Sequence, residues 1–240
     1  MVPLEHSPDS GTIADNVQKI RADIQQAALR VGRDPSTVQL VAATKTVATQ
    51  QLLEAYVAGV RIFGENRLQE AQEKIPAVGP RPGLAWHFIG RMQRRKLKDI
   101  VGKFAMLHSV ESVEQARSIQ ALAETLGIQQ EILLEVNVAG EDSKGGFAPL
   151  DMPEALQQIG QLPHVVIRGL MTLPPFRDHP EDVRPYFAEL RHLRDALAQQ
   201  SLPHGGVGEL SMGMSHDYHV AIEEGATMVR IGTALFGNRR

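Results

Sequence analysis

Apolar residues at Ile13, Val17, Ile20, Ile24, Ala27, Ala28 and Val31 recur at steps of three and four, so the pattern predicts an amphipathic helix over 12–31. The GlyArgAspPro stretch at 32–35 stops it. The period then changes. An unbroken run, ValGlnLeuValAlaAlaThr at 38–44, reads as a buried strand, and from there strand and helix patterns alternate to the end of the chain. Helices are predicted over 49–58, 67–75, 93–101, 113–126, 152–159, 181–199 and 217–224. Strands are predicted over 61–63, 86–89, 104–108, 131–138, 165–171, 209–212 and 228–231. Capping chemistry agrees in places: Ser112 lies three residues before Gln115, and Pro180 opens the helix that begins near Glu181. Counted from Val38 there are eight strands. Strict alternation of that many favours a closed parallel (β/α)8 barrel of the TIM type, with an extra N-terminal helix, over an open doubly wound sheet. The expected layout is a flexible N-terminus over 1–11 and one barrel domain over 12–240.

Composition narrows the function classes. Of 240 residues, 42% are hydrophobic and 22% charged, enough apolar side chain for a large core and too much for a disordered chain. A net charge of −3 gives no global field for nucleic acid or an anionic membrane. Cysteine is absent, which removes disulfides, thiolate nucleophiles and thiolate metal sites together. The first ten residues lack a basic region followed by an apolar stretch, and nowhere do 18 apolar residues run together. The expectation is a cytoplasmic protein with no membrane segment.

Candidate chemistry gathers at the ends of predicted strands. Lys45 closes the first strand, where a desolvated amine can lose its proton and attack a carbonyl. After the seventh strand comes SerMetGlyMetSer (211–215), leading into a helix, and after the eighth comes ArgIleGlyThrAla (230–234). In such barrels these two loops commonly hold phosphate on backbone amides, and Ser215 and Thr233 add hydroxyl donors. Arg230, at the end of strand eight, points to the same mouth as Lys45 on the adjacent strand one. An aldehyde-reactive lysine, a phosphate cup and a cation suited to a ring nitrogen together describe pyridoxal phosphate.

Other signals are weaker. The basic run 91–98 (ArgMetGlnArgArgLysLeuLys) reads as a solvated helix face, because aromatic stacking residues are missing. His216 and His219 lack a third ligand at recognisable spacing, so no metal is expected. Lys144 lies in the loop after strand five, on the mouth side, and Glu65 either pairs with Asn66 in acid-base chemistry or ties its loop to a basic neighbour.

Six segments carry a resemblance: ThrLys (44–45), PheGlyGluAsn (63–66), TrpHisPheIleGly (86–90), ArgGlyLeuMet (168–171), LeuSerMetGlyMetSer (210–215) and MetValArgIleGlyThrAlaLeuPheGly (228–237). In order and along nearly the whole chain, they resemble the pyridoxal phosphate homeostasis protein family, whose barrel is like the N-terminal domain of alanine racemase. The resemblance implies pyridoxal phosphate held as an aldimine on Lys45, with Asn66 near the ring. It implies Ser211, Met214, Ser215, Gly232 and Thr233 around the phosphate, and Arg230 facing the ring nitrogen. Two departures stand out: ArgMetGlnArgArgLys at 91–96 replaces the family's usual ProLeuGlnSerAsnLys, and SerHisAsp at 215–217 replaces SerAspAsp.

Alanine racemases add a β domain whose tyrosine serves as a second acid-base group, and the expectation here is that no such domain follows strand eight. Tyr56, Tyr186 and Tyr218 are not placed by any motif to replace it. The expectation is therefore a monomeric carrier of the cofactor rather than an enzyme, with apo enzymes that use pyridoxal phosphate as recipients. A slow racemase-like enzyme acting on small amino acids is the alternative.

Overall fold

The computed structural model describes residues 11–141 and 144–237. The expected flexible segment, apart from Gly11, lies outside them. Helix α1 (Ile13–Arg30) starts at Thr12, whose hydroxyl accepts the Asp15 N–H while the Asp15 carboxylate accepts the Thr12 N–H. This reciprocal pair satisfies two amides that the first helical turn leaves without partners.

Eight parallel strands then close into a barrel in chain order: β1 (Gln39–Ala43), β2 (Ile62–Glu65), β3 (Ala85–Phe88), β4 (Met106–Val110), β5 (Gln130–Glu135), β6 (Val165–Met171), β7 (Gly205–Met214) and β8 (Met228–Ile231). Strand β1 pairs with β8, for example Val41 opposite Arg230, so no edge is left. Around it run α2 (Thr49–Val57), α3 (Leu68–Val78), α4 (Val113–Leu126), α5 (Met152–Ile159), α6 (Arg184–Leu197), α7 (Tyr218–Glu223) and the short α8 (Thr233–Phe236).

Strand alternation divides the interior into two apolar bodies. Trp86, Phe88, Leu107, Ile132, Leu134, Val229 and Ile231 face outward and pack with the helices. Val41, Met106, Leu133, Met171 and Met228 form a separate plug inside the barrel. Two residues further along, toward the carboxyl ends, the inward positions of β4 and β8 are His108 and Arg230. The plug thus carries a polar layer directly beneath the mouth.

Several expected elements differ. Residues 93–101 form 3-10 turns over Arg94–Asp99 and no α-helix: the buried Met92 and Leu97 are five residues apart with exposed Gln93, Arg94 and Arg95 between them, so no apolar stripe runs through the first turn. Strand β4 sits two residues later than expected, and β7 extends well beyond 209–212 in both directions. Pro180 opens a 3-10 turn, Pro180–Val183, with α6 starting only at Arg184.

Candidate functional site

Lys45 follows β1 by two residues. The Thr44 N–H donates to Gly64 O at 2.9 Å, extending the pairing with β2 past the last regular strand residue, and Lys45 stands partly exposed at the rim. The next residue, Thr46, adopts φ 59°, a left-handed conformation costly for a β-branched side chain. Its N–H is held at 2.6 Å by Glu70 Oε2 of α3.

Glu65, completely buried at the end of β2, is the acidic member of the sequence pair Glu65–Asn66. It ties the loop to a basic neighbour: Lys74 of α3 reaches Glu65 Oε1 at 2.7 Å, Glu70 Oε2 at 2.7 Å and Thr44 O at 2.6 Å. The Thr44 hydroxyl donates to the same Glu65 oxygen. Asn66 follows, and its backbone is packed so closely against Gly90 that a Cβ there would lie 2.3 Å from Asn66 O. Asn66 Oδ1 is buried with no hydrogen-bond partner.

Arg230 is almost wholly buried, and both of its hydrogen-bond acceptors are neutral: Ser211 Oγ at 2.6 Å from Nη1 and Thr172 O at 2.8 Å from Nη2. Burial lowers the guanidinium from its ordinary value to about 10, with Glu135 and Asp217 opposing the shift, so it remains a cation at neutral pH. Burial, together with the neighbouring Glu111, raises the Glu135 carboxyl.

Two residues absent from the sequence-based site extend this layer. Ser211 Oγ lies 2.9 Å from His108 Nδ1, and His108 Nε2 lies 2.9 Å from His87 Nδ1. Arginine can only donate, so Ser211 accepts from it, and the serine proton is available to His108, which in turn can donate to His87. Burial lowers His87 to about 4. Burial, then His87 and Arg230, push His108 well below the usual histidine range. Both rings are neutral at physiological pH.

Near the end of β7, Gly213 turns at φ 90°, and a Cβ there would come within 2.6 Å of the Ala221 methyl. Asp217 Oδ1 accepts the Met214 N–H at 2.7 Å and closes the turn. The Ser215 hydroxyl then accepts two amides from across the gap, those of Gly232 and Ala234, each at 3.2 Å. Thr233 and Met214 are exposed beside it. The loops after β7 and β8 therefore meet in one cup, joined by the Ser215 hydroxyl and edged by the exposed Thr233.

The remaining sequence signals fall outside this cup. His216 is bonded to Asp178 O and tilted against Phe176. Among the described residues no group of three metal-ligating side chains occurs. Lys144 bridges two loops, donating to Glu141 and to Leu173 O. In the basic run Arg94, Arg95 and Lys98 are exposed, while Arg91 pairs with Glu111 at 3.3 Å. No helix among the described residues is long and apolar enough to cross a membrane.

Residues 12–240 match the family model of the alanine racemase N-terminal domain. A pyridoxal phosphate homeostasis protein of Aquifex aeolicus is 46% identical over 229 residues, covering 94% of this chain and 98% of that one. Its counterpart in Pseudomonas aeruginosa is 44% identical, covering 95% and 96%. The structure of PipY from Synechococcus elongatus with pyridoxal phosphate bound is 37% identical, with a TM-score of 0.81 over 94% of this chain and all of that one. An alanine racemase of Clostridium difficile, at 17% identity, shares the fold with a TM-score of 0.66, and the match spans 56% of its length.

Proposed function

Because this chain belongs to the pyridoxal phosphate homeostasis protein family and carries the alanine racemase N-terminal domain fold, we propose that it binds pyridoxal 5′-phosphate as a lysine aldimine on Lys45. In this reading it takes part in intracellular vitamin B6 and amino-acid homeostasis. The observation that carries the proposal is the pairing of β1 with β8, which sets the lysine-bearing rim beside the strand of Arg230 and the Ser215 cup. The residues fit the group: an orphaned buried Asn66 Oδ1 faces no protein donor, a buried cation touches only neutral acceptors, and the small residues Gly232 and Ala234 let an anion approach the amides that Ser215 holds.

When bound, the cofactor supplies an aldehyde carbon open to amines and an aromatic ring that can delocalise charge. Lys45 provides the amine. Ser215, Gly232 and Thr233 receive the phosphate, with Met214 lining the cup, and Asn66 lies near the ring. Arg230, fixed by Ser211 and Thr172, would donate toward the ring nitrogen and, still a cation at neutral pH, would leave that nitrogen unprotonated and the electron sink weak. This chemistry suits holding and handing over more than turnover. The protein acts as a monomeric cytoplasmic carrier whose recipients are apo enzymes that use the same cofactor, without the second base that racemisation needs.

The test is visible absorption of protein loaded with pyridoxal phosphate, followed by borohydride and peptide mapping. The expected result is an adduct on Lys45 that Lys45→Ala removes. An unchanged adduct in that variant, mapped to Lys144, would overturn the assignment.

A further inference from the structure

Lys74 lies on α3, on the face that buries Leu68, Ala71 and Val78. An ammonium in that row is desolvated and needs charged partners. It has two, Glu65 and Glu70, each at 2.7 Å, and its third bond goes to the carbonyl of Thr44, the residue before Lys45. Each carboxylate reaches a residue flanking Lys45: Glu65 accepts the Thr44 hydroxyl on one side, and Glu70 accepts the Thr46 N–H on the other. The Thr46 backbone that Glu70 holds is the left-handed one, so the turn carrying Lys45 sits in a conformation it would not keep unaided.

We propose that Lys74 is a positioning residue for Lys45: with Glu65 and Glu70 it forms an ionic clamp that grips both neighbours of Lys45 and fixes where its amine emerges at the barrel mouth. The inference rests on the cofactor reading given above and adds to it. The clamp touches neither the phosphate cup nor Arg230. Its loss slows reaction at the amine and leaves non-covalent recognition of the phosphate intact.

Glu70→Ala removes the carboxylate from the partly exposed side of the cluster. Lys74→Met combined with Glu65→Gln removes the buried charges together, so that no uncompensated carboxylate is left in the core. Three measurements apply to each folded variant: the rate of borohydride-trapped adduct formation at Lys45, hydrogen exchange at the Thr46 amide without cofactor, and affinity for pyridoxine 5′-phosphate, which has the phosphate and ring but no aldehyde. The expected result is adduct formation slowed about tenfold or more and Thr46 exchange accelerated by a comparable factor, with pyridoxine 5′-phosphate affinity within about twofold of wild type. Glu70→Gln, whose amide oxygen still accepts the Thr46 N–H, restores both rates toward wild type. Wild-type adduct rates in Glu70→Ala and in the double variant would overturn the clamp, and so would equal losses of amine reactivity and pyridoxine 5′-phosphate affinity. A wild-type protein that forms no adduct at Lys45 would instead overturn the cofactor reading beneath it.

Discussion

Arg230 Nη1 donates to Ser211 Oγ at 2.6 Å, and that oxygen is also the contact through which His108 reaches the arginine. One serine hydroxyl thus joins a buried cation on β8 to two neutral rings on β4 and β3. Replacing it by alanine strips Arg230 of one of its two acceptors in a buried place.

Ser211→Ala is expected to cost about 1.5–3 kcal/mol of stability, the range for a lost hydrogen bond to a charged group in the interior. Urea unfolding of the apo protein reads this directly. Cofactor affinity should fall as well, since the guanidinium is then free to turn. A variant with unchanged midpoint and affinity would mean that Thr172 O alone fixes Arg230.

The histidine pair predicts an acid-sensitive fold. His87 titrates near 4 in the folded protein and near 6.5 when unfolded, so below pH 6.5 the unfolded chain binds the extra proton first. The stability conferred by the neutral ring is complete above pH 6.5 and drains as pH falls toward 4, by about 3 kcal/mol for this group alone. His108, shifted in the same direction, adds to the slope. The raised Glu135 carboxyl works the opposite way, since its protonation favours the folded state. Comparison with His87→Asn isolates the imidazole: the variant should have a flatter decline in urea midpoint between pH 6.5 and 4. Parallel declines in the two proteins would show that His87 is not the titrating group.

These histidines also mark where reading the sequence stops short. The alternation TrpHisPhe at 86–88 and MetLeuHis at 106–108 puts both rings on inward positions of neighbouring strands, a signal present but outweighed by the motif residues around it. Lys74 carried a similar signal, a cation in the row Leu68, Ala71, Lys74 and Val78, where helical spacing expects an apolar residue. Lys45, Arg230 and the Ser215 cup were legible because each ends a strand, and strand ends in a closed barrel share one face. The Arg94–Asp99 turns were not, because Leu97, Ile100 and Val101 keep helical spacing in the sequence, and only the burial of Met92, five residues before Leu97, marks the first turn as irregular.

The last prediction is that the protein turns over amino acids negligibly. Racemisation needs a proton to leave one face of the bound substrate and return on the other, hence two acid-base groups. Each tyrosine has other contacts: Tyr56 bonds to Pro82 O, Tyr218 to Asp23, and Tyr186 lies against Arg177. In the proposed reading Arg230, still cationic at neutral pH, would leave the ring nitrogen unprotonated and the sink weak. Incubation with L-alanine in deuterated water should therefore give little α-deuterium and no accumulating D form, even where the amino acid displaces Lys45. Racemisation at about 1 s⁻¹ or faster, abolished by Lys45→Ala, would replace the carrier with an enzyme. Arg230→Glu separates the two causes: a carboxylate at that position favours a protonated ring nitrogen and should raise trace exchange if ring electronics set the limit. Exchange that stays flat at full cofactor occupancy would show that ring electronics do not set the limit, and would point to the acid-base groups instead.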